Sequence, residues 1–429
     1  MSNDFVVIGL GSNLENPLQQ LRQSLSEVKK IPKSKVIRVS SLFESEAQLP
    51  DGATKAWQQK FLNAAVLIQV QDMNPQQLLS NLKNIESKMG RPSSEKWAPR
   101  IIDLDILYWE NLNLSEQNLK VPHLHLLQRP FALLPLLQIY PQAKLQLPHW
   151  AADWVATKPF STKKSKKFFW PELIGILNLT ADSFSDGDVL NDPDKLISRI
   201  ESLIADGAEI LDFGAESTRP QASPVDAAAE FKKLQWGLSL CEKYRSQIKV
   251  SVDSYKAEVI KLCLEHFNID YINDVTGLRD NRMAALVSKH RKKAFVMHSL
   301  SVPPKRDEVI PTATSPADFL TLWWVHKREQ LFELGIENDQ LIFDPGVGFG
   351  KSPEQSLHLL KHLEDFAGVS NSILIGHSRK TYQTLFSSRE PSERDLETAL
   401  ITQQLNLAYV QFLRVHDVSS QKIAFGSMP

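Results

Sequence analysis

Apolar positions fall into two different rhythms along the chain. In the first third, short strand-like runs alternate with helical ones. Phe5 to Leu10 reads as a strand, and Asn16-Pro17 is an N-cap followed by proline at the first helical position, with Leu18, Leu21, Leu25 and Val28 spaced along one helical face. Strands are expected at Lys35 to Phe43, Leu62 to Val70 and Ile101 to Leu107, with a helix from Asn74-Pro75 to near Gly90. That order, βαββαβ, predicts a ferredoxin-like α+β layer. From Phe168 onwards the rhythm changes. Eight short apolar runs each end in polar side chains: Ile174 to Leu177 into Asn178, Ile210-Leu211 into Asp212, Val250 to Val252 into Asp253, and Tyr271-Ile272 into Asn273-Asp274. The others are Phe295-Val296 into Met297-His298, Leu341 to Phe343 into Asp344, Ile373 to Ile375 into Gly376-His377, and Phe412-Leu413 into Arg414-Val-His416. Amphipathic helical stretches fill the intervals, so the pattern predicts a (β/α)8 TIM barrel whose polar strand ends share one face. Between the two rhythms, Lys158, Lys163, Lys164, Lys166 and Lys167 crowd an aperiodic stretch that reads as a linker. The expected organisation is a first domain over 1–157, a lysine-rich linker over 158–170 and a barrel over 171–429.

Composition narrows the partners. With 429 residues and a formal net charge of -1, the chain carries no basic field for a nucleic-acid backbone. Two cysteines, Cys241 and Cys263, are too few for a disulfide framework and lack metal-ligand spacing, so both read as reduced core thiols. No 18-residue apolar run or basic leader is present in the sequence, and a cytoplasmic enzyme acting on small molecules, with no nucleic acid and no membrane, is the expectation.

Candidate chemistry concentrates at two places. Asp103 and Asp105 stand two apart on an expected strand, so both carboxylates point to one side, roughly 7 Å apart along the backbone. That spacing suits a hard divalent cation bridging to phosphate oxygens. Arg91, Lys96 and Arg100 lie just upstream, with His123 and Arg129 just downstream, as cations that grip a phosphate chain, while Trp97 and Phe131 are placed to sandwich a flat heterocycle. In the barrel, Arg414 and His416 project to one face of the last strand, and with Arg219 they form a candidate pyrophosphate pocket. Asp253, Asn273, Asp344 and Lys380 supply donors and acceptors for an amino-pyrimidinone edge. The stretch from Asp344 to Ser352 looks like a phosphate-binding loop, but only three residues separate Gly346 from Gly350 where four are required, so by itself it reads as a turn.

The first domain resembles the 6-hydroxymethyl-7,8-dihydropterin pyrophosphokinases through Phe61-Leu-Asn63-Ala-Ala-Val, Glu86, Gly90-Arg91, the run from Trp97 to Asp105, Val121-Pro-His123 and Arg129-Pro-Phe131. By that resemblance Asp103 and Asp105 hold two Mg2+ ions on ATP, Arg91, Arg100, His123 and Arg129 contact phosphates or nucleotide, Asn63 bonds the pterin edge and Phe131 stacks on the ring. The second domain resembles the dihydropteroate synthases through Gly175 to Gly187, Asp212 to Pro220, Ser251-Val-Asp253-Ser, Ile272-Asn273-Asp274, Asp344 to Lys351, Ser378-Arg-Lys380 and Arg414-Val-His416. The resemblance implies that Asn178 binds one Mg2+ with pyrophosphate, that Thr218 and Ser378 lie near p-aminobenzoate, that Phe349 belongs to the substrate site, and that Asp253 and Lys380 serve the reaction. Together the two resemblances imply a bifunctional enzyme of folate biosynthesis, using ATP, hydroxymethyl-dihydropterin and p-aminobenzoate, with room for a homodimer through the barrel. Two alternatives stand beside it: a pterin-binding scaffold with only one active domain, and a pterin-dependent methyltransferase barrel.

Overall fold

The computed structural model describes residues 3–49, 54–90, 98–147, 162–164, 169–180, 192–217, 224–305, 307–370 and 372–426. Two compact units emerge, Met1–Trp170 and Pro171–Ala424.

The helix starts of the first unit follow from their residue types. Asn16 accepts the Gln19 N–H at 3.2 Å, and Asn74 forms a reciprocal capping box with Gln77, each followed by proline where the missing N–H costs nothing. Helices Pro17–Val28 and Pro75–Lys88 result. Strands β1 (Asn3–Ser12), β2 (Ser34–Val39), β3 (Phe43–Ser45), β4 (Phe61–Gln71) and β5 (Asp103–Trp109) form one antiparallel sheet in the order β5-β1-β4, with β2 and β3 both pairing β4. With β2 and β3 counted as one broken strand, this is the ferredoxin-like order. The expected strand over Lys35 to Phe43 breaks because the Ser40 hydroxyl accepts the Ala65 N–H at 2.9 Å, replacing a backbone carbonyl in the ladder. A short hairpin of β6 (Leu114–Ser115) and β7 (Lys120–Val121) follows, and helix Pro130–Ile139 buries Leu133 and Leu136 against Val7, Ala65, Leu67 and Leu107. Val6 and Ile8, equally buried, face the opposite side by strand alternation.

One feature differs from the expected linker over 158–170. Within it, β8 (Thr162–Lys164) pairs antiparallel with Phe43–Ser45 at the sheet edge, and the Trp170 indole N–H donates to Ser40 O at 2.7 Å. Part of that stretch therefore belongs to the first unit's fold. Lysines suit a short edge strand, where charge discourages further pairing, and this is why the stretch looks like a solvated tether in sequence.

The second unit contains the eight expected strands: β9 (Glu172–Asn178), β10 (Ile210–Gly214), β11 (Lys249–Asp253), β12 (Tyr271–Asp274), β13 (Lys293–Met297), β14 (Leu341–Asp344), β15 (Leu374–Ile375) and β16 (Phe412–Val415). They run parallel in the order β14-β13-β12-β11-β10-β9-β16-β15, and a parallel bridge from Phe343 to Ile373 joins the two ends into a barrel. Ile174, Ile210, Tyr271, Phe295, Ile342, Leu374 and Phe412 form a buried layer inside it, with Tyr271 and Phe295 stacked at 5.1 Å. Side chains repeat every second residue on a strand, so the next inward positions are Ile176, Asp212, Asn273, Met297, Asp344, Gly376 and Arg414. The apolar plug thus carries a polar layer directly above it, at the carboxyl ends of the strands.

Candidate active sites

In the first unit, a cavity of about 220 Å³ is lined by Asn63, Arg100, Asp103, Asp105, His123, Arg129 and Phe131, every site residue expected there that lies among the described residues. Arg91 and Trp97 lie outside them. Strand β5 places Asp103 and Asp105 on the cavity side, while Leu104 and Ile106 go into the core. Opposite them on β1, Gly11 pairs with Asp103 and Gly9 with Asp105. This Gly-x-Gly spacing matches Asp-x-Asp across the ladder and leaves no β1 side chain opposite the two aspartates. A Cβ on Gly9 would meet the Leu107 side chain at 3.0 Å, and one on Gly11 would crowd the Asn63 carbonyl at 3.4 Å.

Like charges crowd this cavity. Arg100 pairs with Asp103 at 2.5 Å, and its backbone N–H is fixed by Asn13 at 2.8 Å. Burial, with the Asp103 charge beside it, holds the Asp105 carboxyl well above the usual carboxylate range. His123 is pushed down to about 4 by burial and then by Arg129, so it is neutral at physiological pH. The Arg129 Nε is buried with no hydrogen-bond partner among the described residues. Two crowded carboxylates beside an arginine with unspent donor capacity suit a metal–phosphate ligand. Among the described residues no group of three His, Cys, Asp or Glu is arranged to hold a metal ion. Asn63 donates to Phe43 O at 3.2 Å and Ser45 Oγ at 2.9 Å, which orients its amide. Sequence reasoning attached no role to Glu86, whose buried carboxylate accepts the Leu104 N–H at 2.7 Å and pairs with Lys83 at 3.0 Å. It holds the backbone between the two aspartates.

In the barrel, Asp212, Asp253, Asn273 and Arg414 meet in one network. Arg414 donates from Nε to Asp212 at 2.6 Å and from Nη2 to Asp253 at 2.7 Å, while Asn273 Nδ2 donates to the same Asp212 oxygen at 3.0 Å. Asp212, fully buried, was not among the expected site residues. Its position two residues beyond the inward Ile210 is the signal that would have found it. Burial pushes the Asp253 carboxyl up, with Arg414 opposing. Asp344 accepts the Gly346 N–H at 2.7 Å and is pushed up to about 6 by burial, against the opposing pull of that N–H, Lys380, Lys351 and Arg414. Lys380 Nζ sits 4.3 Å from the centre of the Phe349 ring, and Ser378 Oγ is bonded to His416 Nδ1 at 3.0 Å. The intervening Arg379 adopts a left-handed φ of 59°, fixed by a bidentate pair with Asp395. Asn178 ends β9 beside Gly214, where an added Cβ would lie 3.5 Å from the Asn178 carbonyl oxygen. Thr218 and Arg219 lie outside the described residues.

Residues 174–416 match the family of pterin-binding enzymes, and residues 7–141 match 7,8-dihydro-6-hydroxymethylpterin-pyrophosphokinase. A folate synthesis bifunctional protein of Chlamydia caviae is 32% identical over 432 residues, covering 97% of this chain and 96% of its own length. The chain belongs to the bifunctional folate-synthesis enzymes. Its units are thus a pyrophosphokinase and a dihydropteroate synthase, and the scaffold and methyltransferase alternatives are not favoured. The synthase from Anaplasma phagocytophilum, solved with bound 6-hydroxymethylpterin-monophosphate, aligns at 31% identity and TM-score 0.54 over 59% of this chain and 96% of its own. A Plasmodium falciparum HPPK-DHPS, solved with pterin and p-hydroxybenzoate, shares the fold across 99% of this chain and 96% of its own at 19% identity and TM-score 0.51. Among the described residues, no helix is long and apolar enough to cross a membrane.

Proposed function

We propose that the kinase unit transfers a diphosphoryl group from ATP to the hydroxymethyl oxygen of 6-hydroxymethyl-7,8-dihydropterin and releases AMP. The O–P bond to the pterin forms as the bond between the α and β phosphates breaks. Asp103 and Asp105 would hold two Mg2+ ions, which would supply positive charge to the polyphosphate. Arg100, Arg129 and Arg91 grip the phosphate oxygens, and neutral His123 contributes a hydrogen bond rather than charge. Asn63 bonds the pterin edge, with Phe131 and Trp97 on its faces.

The synthase unit then lets diphosphate leave the pterin methylene with the bonding electron pair, and the amine nitrogen of p-aminobenzoate forms the new C–N bond and releases one proton to the departing diphosphate or to water. Asp253, Asn273, Asp344 and Lys380 take the pterin edge, with Phe349 beside the ring. Arg219, Arg414 and His416 receive the diphosphate, Asn178 would hold one Mg2+ to offset its charge, and Thr218 and Ser378 border p-aminobenzoate. No enzymic nucleophile is needed, because the leaving group is already activated.

The observation that carries this reading is the lining of one small cavity by a carboxylate pair, two arginines, a fixed amide and an aromatic ring. Given ATP, Mg2+, hydroxymethyl-dihydropterin and p-aminobenzoate, the purified chain should yield AMP and dihydropteroate in equal amounts. AMP without dihydropteroate, or neither, would sink it.

A further inference from the structure

Within the phosphate-loop-like stretch from Asp344 to Ser352, Lys351 is left unused by this chemistry. It does not face a phosphate site: Lys351 is 5% exposed, and its ammonium donates to His298 Nδ1 at 2.9 Å, Phe349 O at 2.8 Å and His298 O at 3.4 Å. His298 is pushed down to about 2 by burial and by the Lys351 charge, so its ring is neutral and Nδ1 has a lone pair to accept with. That ring is held edge-on to Trp323 at 4.9 Å and to Phe319 at 5.7 Å.

The loop after β14 is pressed against the segment after β13 at further points. A Cβ on Gly346, at φ +66°, would stand 1.9 Å from His298 O, and one on Gly350 would stand 2.5 Å from the Leu300 side chain. His298 N–H donates back to Asp344 O at 2.9 Å. Towards the site, Gly348 lies beside Lys380, with 3.5 Å from an added Cβ to the Lys380 Cδ, and the Phe349 ring sits under the Lys380 ammonium at 4.3 Å. The loop is therefore a layer between His298 and Lys380, and Lys351 is the only charged tie on its inner side among these contacts.

We infer that Lys351 is a positioning residue for the pterin substrate of the synthase: it clasps the Phe349 loop onto His298 and keeps a positive charge near Asp344. The clasp sets where the Phe349 ring supports Lys380, and the charge favours the ionised Asp344 that accepts from the pterin edge. Asp344 is faced by Lys351, Lys380, Arg414 and the Gly346 N–H, and all four hold its carboxyl below the value that burial alone would give. Burial pushes Lys351 itself down to about 7, with Asp344 opposing, so the ammonium is present over the acidic range in which Asp344 titrates.

This inference rests on the synthase reading, and the test separates the two. Wild-type full-length chain supplied with 6-hydroxymethyl-7,8-dihydropterin diphosphate and p-aminobenzoate must form dihydropteroate; failure there sinks the reading. The inference is tested by Lys351→Met in the same chain, with KM measured for each substrate at pH 6 and pH 8.5. Loss of the ammonium raises the Asp344 pKa, so the variant-to-wild-type ratio of KM for the pterin diphosphate should be about tenfold at pH 6 and about threefold at pH 8.5, with p-aminobenzoate changed by less than about twofold. Taking the ratio cancels the substrate's own titration. Equal ratios at both pH values, or equal rises for the two substrates, would overturn it. His298→Gln keeps the charge and loses the ring acceptor, and it carries the test if Lys351→Met does not fold. Its ratio should be about threefold and the same at both pH values, and an unchanged KM would overturn the clasp.

Discussion

In the kinase unit the two decisive carboxylates stand two residues apart on one edge strand, whereas in the barrel Asp212, Asp253, Asn273, Asp344 and Arg414 arrive from five different strands. The balance of charge differs as well. Asp103 and Asp105 repel one another, Arg100 pairs with Asp103 at 2.5 Å, and burial holds the Asp105 carboxyl above the usual carboxylate range. In the barrel, one arginine already joins Asp212 and Asp253. Two adjacent carboxylates that repel one another suit cations that arrive with the substrate. In the barrel, carboxylates that are already paired are set to hydrogen-bond the neutral pterin edge, and the charge of the diphosphate falls to the cations proposed beside them.

The largest expected effect tests whether the two sites are as separate as this contrast requires. Asp105→Ala should lower AMP formation by at least about a thousandfold, because no neighbouring carboxylate can replace it as a ligand, while condensation of supplied pterin diphosphate stays within about twofold. Lys380→Ala should do the reverse. Rates of both steps, measured on each variant in the full chain, check this. If either substitution crippled both steps while the protein stayed folded, the comparison would fail.

Asp212→Asn attacks the paired site. The amide cannot balance Arg414, so Arg414 keeps only Asp253 and the donor from Asn273 loses its charged acceptor. Removing one partner of a buried pair is expected to cost the barrel about 3 kcal/mol of stability, and the synthase kcat/KM should fall about a hundredfold. Kinase activity should be unaffected. Thermal unfolding and steady-state kinetics read the two effects separately, and a variant of wild-type stability and rate would mean the network is incidental.

How much of this was legible beforehand follows from the range of each interaction. Asp103 and Asp105 could be read because strand alternation is a local rule, and the helix starts at Asn16 and Asn74 because capping acts over three residues. The barrel was legible because each strand independently ends in polar residues. Asp212 could not be assigned a task from its neighbours: its partners Asn273 and Arg414 are 61 and 202 residues away. Lys351 was obscured for the same reason, since its ring acceptor lies 53 residues upstream. The edge strand Thr162–Lys164 has two lysines in three residues, so nothing in its own pattern separates it from a solvated tether; only the pairing with Phe43–Ser45 does.

The smallest expected effect concerns Glu86, and it sharpens the contrast from the kinase side. β5 is an edge strand, so its outward backbone groups need partners that a neighbouring strand would otherwise supply. Glu86 accepts the Leu104 N–H at 2.7 Å, and Lys83 lies 3.5 Å from the Leu104 carbonyl, so two side chains of one helix stand in for a missing strand between the two cavity-facing aspartates. Glu86→Gln keeps an acceptor for that N–H and should leave the Mg2+ concentration for half-maximal kinase activity within about threefold of wild type. Glu86→Ala removes the acceptor, lets the strand shift between Asp103 and Asp105, and should raise that concentration about tenfold. Equal effects of the two substitutions would mean that the charge on Glu86, and not its hold on the backbone, is what the aspartate pair requires.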